Sequence, residues 1–328
     1  MGEIIYFMFE RLDSRFDVLT QVLEAVHLGS ALSSRIEVRA PWALHYGKET
    51  GHRAGFHVVA SGTCWVRLDG NAEQIALGPG DVVVFPHGAG HILADCPTTP
   101  ATEIAEHVAT LAPGERAVLP AGSDGDPAIL LCGSYSFGAD GSNPLLRGLP
   151  DLLHIPAGQI GSGPLAAAVQ LLAGEARGTE PGSALVIDRL VGLLFVYALR
   201  AWLNHHVDAS AYSWFGALQN PAVGPAVQAV HDDPAYAWTV EALAQHSGLS
   251  RAAFARRFNQ AVGESPLAYV TRWRMTVAAN LLEQGERIGE VAGKVGYDNE
   301  FAFAKAFKRV RGIAPGQHRL RYASQNTP

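Results

Sequence analysis

Thiols, charge and uninterrupted apolar runs are all scarce in this sequence. Three cysteines occur among 328 residues, all before residue 133. So few exclude a disulfide framework and make the reducing cytoplasm the expected compartment. The most apolar stretch, Ser183–His205, carries Leu185, Val186, Leu190, Leu193, Leu194, Val196, Tyr197, Leu199 and Trp202. Asp188, Arg189 and Arg200 interrupt it, which argues against a membrane span. Met1–Phe9 is apolar but short, has Glu3 where a secretory signal has a basic region, and lacks a small-residue cleavage site; it reads as an extension. A positive balance is missing as well: the net charge is −6, unlike a nucleic-acid binder until the chain is divided. Residues 220–328 hold 13 Lys+Arg and 9 Asp+Glu, a balance of +4, and residues 1–219 carry −10. This asymmetry separates a basic segment from an acidic partner.

What is present is a repeat. Val240–Phe258 and Ile288–Phe307 share one pattern, with Ala244 and Gly248 matching Ala292 and Gly296 at an offset of 48. Phe254 and Phe258 match Phe303 and Phe307 at an offset of 49, so one residue is inserted after the turn. Each copy has the logic of a helix-turn-helix. The alanine allows close helix crossing, the glycine suits a positive φ at the helix end, and a polar residue, Ser250 or Asp298, caps the next helix. The second helix of each copy buries Phe at i and i+4 and turns Arg256, or Lys305 and Lys308, outward. A packed back and a basic front suit the major groove. Between the copies, Pro266–Glu283 starts on Pro and stops before Gly285, predicting a helix of roughly 27 Å. It can set two recognition helices in successive major-groove turns, about 34 Å apart.

Residues Trp238–Arg319 resemble the tandem helix-turn-helix domain of the AraC/XylS transcription regulators. The matching residues include Trp238, Ser247-Gly-Leu-Ser250, Gly263-Glu-Ser-Pro266, Arg274, Gly296-Tyr297, Ala306-Phe307-Lys308, Pro315 and Arg319. The resemblance places DNA readers on Ala252, Ala255 and Arg256, and on Glu300, Phe301, Ala304 and Lys305. The alanines can touch only a thymine methyl, Arg256 suits guanine, and Glu300 suits cytosine or simply favours a helix N-terminus. Phe301 either meets a thymine methyl or packs locally. Arg251, Arg257, Arg272, Lys308 and Arg309 are phosphate candidates.

The first half reads differently. An amphipathic helix is expected over 14–28, with Phe16, Leu19, Leu23 and Val26 on one side. Short β-rich runs follow, among them Phe56–Val59, Cys64–Leu68, Asp81–Phe85 and Ile129–Cys132, with turn residues such as Gly78-Pro-Gly-Asp81 between them. That spacing predicts a sandwich or barrel. Gly80-x5-Pro86-x-Gly88-x2-His91 matches the second motif of the cupin barrel. Gly51-x5-His57 resembles the first, with Val59 at its second His slot and Cys64 at its Glu slot. The resemblance implies that His57, Cys64 and His91 face the interior, a donor set suited to zinc with a fourth place open. The alternative is two hydrogen-bonded barrel histidines and a small buried thiol.

The expected architecture is therefore α+β. It comprises a cupin-like sensing barrel over 10–135, a connection and helical hairpin over 136–210, and an all-α tandem helix-turn-helix domain over 220–322. Leu152, Leu153 and Ile155 read as a docked strand, and 209–224 as the linker. Family resemblance implies dimerisation through the second hairpin helix, with Leu190, Leu194 and Tyr197 as candidates. The expected function is non-enzymatic: a sequence-specific transcription regulator. Its partners are double-stranded DNA, a second copy of the chain, an unknown effector or zinc, and, for an activator, RNA polymerase. The alternatives are a cupin enzyme tethered to a DNA-binding domain, or a regulator whose barrel is only a dimer scaffold.

Overall fold

The computed structural model describes residues 28–48, 53–104, 127–137, 149–178, 180–205 and 220–325, with 146 and 217. The N-terminal extension, most of the helix expected over 14–28 and most of the expected linker lie outside these residues.

Ten strands form among the described residues: β1 (Leu28–Val38), β2 (Ala43–Tyr46), β3 (Arg53–Ser61), β4 (Cys64–Leu68), β5 (Ile75–Leu77), β6 (Val82–Phe85), β7 (His91–Ala94), β8 (Thr102–Glu103), β9 (Ala128–Phe137) and β10 (Leu153–Ile155). They make two five-stranded sheets, ordered β1-β9-β3-β6-β10 and β5-β4-β7-β2-β8. The expected barrel is not closed: each sheet keeps its own edge strands, and the two share one interior. That interior holds Val59, Val83, Phe85, Leu130 and Cys132 from the first sheet, and Leu44, Cys64, Val66, Leu77 and Leu93 from the second.

The first sheet is buried on both faces. All four residues of β6 are buried. Val83 and Phe85 turn into the interior, while Val82 and Val84 join Phe56, Val58 and Leu131 beneath a helical layer. The period of two along a strand makes this division, and double burial is why these strands read as unbroken apolar runs.

The layer consists of α1 (Ala157–Ile160), α2 (Pro164–Glu175) and α3 (Ser183–His205). Phe195 of α3 sits 4.8 Å from the ring of Tyr135 and 5.4 Å from that of Phe137. This docking buries Leu190 and Leu194 inside the protomer. The expectation that these two face a partner is thereby corrected: the 3.6-residue period assigns them to the sheet. Tyr197 is only partly buried. The large apolar side chains of this layer left exposed are Leu171 of α2 and Leu185, Val186 and Leu193 of α3.

The C-terminal part is helical: α4 (Gly224–Asp232), α5 (Val240–His246), α6 (Arg251–Val262), α7 (Pro266–Glu283), α8 (Ile288–Lys294), α9 (Glu300–Arg311) and α10 (Pro315–Gln325). The first helix-turn-helix, α5–α6, packs in one buried cluster with α4 and the start of α7, and that cluster continues to α3 and the sheet. The second, α8–α9, has its own core with Met275, Ala278, Ala279 and Leu282 of α7.

Candidate functional site

The two helix-turn-helix units repeat bond for bond. In the first turn, the N–H of Gly248 donates to the Gln245 carbonyl at 3.1 Å and that of Leu249 to Ala244 at 3.0 Å. In the second, Gly296 donates to Gly293 at 3.0 Å and Tyr297 to Ala292 at 2.9 Å. Both glycines adopt positive φ, +62° and +75°, where a side chain is strained. The buried Phe pairs are also alike, with ring centroids 5.4 Å apart for Phe254/Phe258 and 5.7 Å for Phe303/Phe307.

The caps correct one expectation. Ser250 accepts from Ala253 N–H at 3.4 Å. The equivalent for α9 is Asn299, accepting from Ala302 N–H at 2.8 Å, rather than Asp298. The residue inserted after the second turn moves the cap one place along.

The outward faces carry the expected readers. Ala252 and Arg256 are exposed on α6 with Ala255 partly so; Glu300, Phe301 and Lys305 are exposed on α9 with Ala304 partly so. Spacings of three and four residues align each set on one face, opposite the buried phenylalanines. Arg257, Lys308 and Arg309 are exposed beside them. Arg251 is exposed and pairs with Glu241 at 3.0 Å. Such a surface pair is worth about 0–1 kcal/mol and yields readily to a phosphate.

Arg272 does not belong with the phosphate candidates. It is 9% exposed, its Nε donates to Glu264 at 2.8 Å, and its guanidinium lies 5.1 Å from the Tyr269 ring centroid. Its face of α7 packs on the α6–α7 corner, so its charge is spent on structure.

Arg274 plays a part that the spacing did not reveal. Its guanidinium donates to the carbonyls of Pro234 at 2.7 Å and Tyr236 at 2.8 Å, and to Gly296 at 3.4 Å. It thus ties the segment entering the first unit to the turn of the second. A Cβ on Gly296 would collide with the Ala235 carbonyl oxygen, so this approach requires glycine as well as positive φ. Arg311 is fixed similarly, donating to Met275 carbonyl at 3.2 Å; burial brings its pKa down to about 10.

Inside the sheets, four polar side chains close a ring. His57 lies directly across from Cys132 in the β3–β9 register, and Tyr46 across from His91 in β2–β7. Between the sheets, His57 Nε2 and His91 Nε2 are 2.8 Å apart, and the Tyr46 hydroxyl is 3.6 Å from Cys132 Sγ. His91 Nδ1 sits 2.9 Å from the Ala89 carbonyl, which only accepts, so Nδ1 carries the proton and Nε2 is bare. His57 therefore donates from Nε2, and its Nδ1 is left as a buried acceptor with no partner. Burial holds His57 well below the usual imidazole range, brings His91 down to about 4 and pushes Cys132 up to about 12. Tyr46 is raised too, first by burial and then by Cys132. All four are neutral at neutral pH.

Cys64 shares this interior, near enough to Cys132 and Tyr46 to interact electrostatically with both, and burial pushes its thiol to about 12, but it is offset from His91. In the β4–β7 register His91 faces Leu68, four residues along the strand from Cys64, or roughly 13 Å of rise. Among the described residues no three His, Cys, Asp or Glu side chains are grouped to hold a metal ion. The structure brings His57 and His91 together and does not add Cys64 as a third donor.

A cleft of about 400 Å³ opens beside the ring, lined by Lys48, Leu68, Asp69, Asn71, His87, Ala89, Gly90 and Asp151. Ala89 and Leu68 connect the two, one accepting from His91 and the other facing it across the sheet. At the rim, His45 bridges Asp69 at 3.0 Å and Glu103 at 2.6 Å. These two carboxylates, Asp69 first, raise its pKa.

No helix among the described residues is long and apolar enough to cross a membrane. A cupin family model matches residues 17–204 and a helix-turn-helix domain model matches 243–321. A putative AraC-like transcription regulator of Streptomyces antibioticus is 32% identical over 305 residues, 92% of this chain and 98% of that protein. The HTH-type transcriptional regulator AlkR of Acinetobacter baylyi is 29% identical over 308 residues, 92% and 99% of the two chains. Among solved structures, the DNA-binding domain of AdpA in complex with a target DNA is 29% identical. It covers 32% of this chain and 96% of that one, with a TM-score of 0.31. With a cupin model across its first part, a helix-turn-helix model across its last, and an AraC-like relative 32% identical over 92% of its length, the chain belongs to the AraC-type DNA-binding transcription regulators.

Proposed function

We propose that this regulator works in the cytoplasm as a homodimer whose DNA occupancy is set by an effector engaging the His57–His91–Tyr46–Cys132 ring from the adjoining cleft. The unpartnered Nδ1 of His57 carries this reading. It is an acceptor buried within a sensor-type domain, and an unmet buried acceptor is costly until a donor reaches it. A ligand with a hydroxyl, amide or ammonium donor fits that need. Its binding changes DNA affinity to the extent that it prefers one arrangement of the paired readers over another. The exposed apolar side chains Leu185, Val186 and Leu193 on α3 support pairing with a second copy, and RNA polymerase is the further partner of an activator.

Zinc is the second reading for the same ring. The ion would take the imidazoles of His57 and His91, a nitrogen donor pair that suits it, although no third His, Cys, Asp or Glu among the described residues is grouped with them. Bound zinc would supply a Lewis-acidic position for an effector atom.

Metal analysis and a thermal-shift screen of the purified chain test both readings. Stoichiometric zinc that is lost in both His57→Ala and His91→Ala assigns the histidine pair to metal. Without zinc, a ligand that raises Tm in the wild type is expected to lose that effect in His57→Ala. An undiminished effect in that variant removes the ring from the effector site.

A further inference from the structure

Phe301 is 81% exposed, more than any other large apolar side chain among the described residues. It does not pack locally, which was one of its two expected uses. It stands in the first turn of α9, next to Glu300 and one helical turn before Lys305, on the face away from the buried Phe303 and Phe307. Its neighbours Ala302 and Ala304 carry only methyl groups, so nothing on the helix covers the ring. The side chain has no hydrogen-bonding atom, so phosphates offer it nothing. In the major groove the C5-methyl of thymine is the one apolar group on a base edge, whereas cytosine carries only a hydrogen at C5 and an amino donor beside it at C4.

We infer that Phe301 is a specificity-determining residue that selects thymine by covering its C5-methyl when α9 enters the major groove. This rests on the assignment of α9 as the second reader, and it adds which base is chosen and by what contact. The basic side chains Lys305, Lys308 and Arg309 further along α9 position the helix on the backbone, and the phenyl ring discriminates. One methyl withdrawn from water is worth about four-fold in affinity.

The test uses the full-length protein and begins with selection of binding sites from random duplex DNA. Each thymine in the selected site is then replaced by deoxyuridine, which removes the C5-methyl and nothing else. One position is expected to lose about four-fold affinity for the wild type and none for Phe301→Ala. At that position 5-methylcytosine should bind the wild type better than cytosine does. Sites selected with Phe301→Ala should no longer favour thymine there, while Arg256→Ala should keep the preference. Because the ring buries nothing in the free protein, Phe301→Ala should leave Tm unchanged. A deoxyuridine loss at that position that persists in Phe301→Ala, or an equal loss of affinity for every sequence in that variant, overturns the inference. Failure to select any common sequence would instead overturn the assignment of paired readers on which it stands.

Discussion

At the scale of single residues, burial rather than identity decides what each histidine does. His57, His91 and His231 are at most 5% exposed, and burial lowers all three, His91 to about 4 and His231 to about 3. A lowered imidazole contributes stability that is present above its unfolded pKa of about 6.5 and is lost as pH falls toward the folded value. Below pH 6.5 each group is expected to withdraw about 1.4 kcal/mol per pH unit until its own folded pKa is reached. His45 runs the opposite way: its raised pKa gives stability that is full below pH 6.5 and is lost as pH rises through the folded value. Urea unfolding from pH 8 to pH 4.5 should therefore show a steep acid loss and a shallow alkaline one, and His45→Gln should abolish only the alkaline drift. A flat profile between pH 6.5 and 4.5 would show that these rings are not held neutral. The histidines of the interior were legible from motif spacing, as His57 and His91 do meet. Their companion was not. Cys64 fills a motif slot, whereas Cys132 reaches the ring through the β3–β9 register, and a register between distant strands leaves no local mark in the sequence.

At the scale of elements, legibility followed self-sufficiency. Helix α7 begins and ends where Pro266 and Gly285 said it would, and α3 spans the expected Ser183–His205, because caps and periodicity are local. Strands β2, β7 and β8 went unread: each is short and carries a histidine or only polar residues, without the unbroken apolar run that marks the equally short β6. Likewise, the apolar surface of α3 was visible in the sequence, but the division between its two faces depends on where the sheet lies. That division makes a sharp contrast between adjacent residues. Leu194 is fully buried and Leu193 is 47% exposed. Leu194→Ala should cost about 2–5 kcal/mol of stability and leave association intact. Leu193→Glu should convert a dimer to monomer in sedimentation velocity, with no loss of Tm beyond that of association itself. A dimer that survives Leu193→Glu but dissociates in a folded Leu190 or Leu194 variant would restore the original assignment of the partner face.

At the scale of the whole molecule, two kinds of coupling are built in. Arg274 fastens the entry to the first reader unit onto the turn of the second, so the two recognition helices move together. One buried cluster then runs from the first sheet through α3 to the first unit, a continuous packed route from the cupin part to the helix-turn-helix part. The charge split between the halves was readable from composition, and the repeat revealed the paired helix-turn-helix units. What no local pattern shows is that Arg272 and Arg274, near neighbours on α7, both serve the fold, which leaves the exposed cations to α6 and α9.

The most direct test of paired reading is a hydroxyl-radical footprint of the full-length protein on its selected site, with Arg274→Ala alongside. Two protected patches per protomer, about 10–10.5 base pairs apart on one face of the duplex, are expected for the wild type, with the spacing blurred in the variant. A single protected patch per protomer would contradict the claim that both helices read DNA.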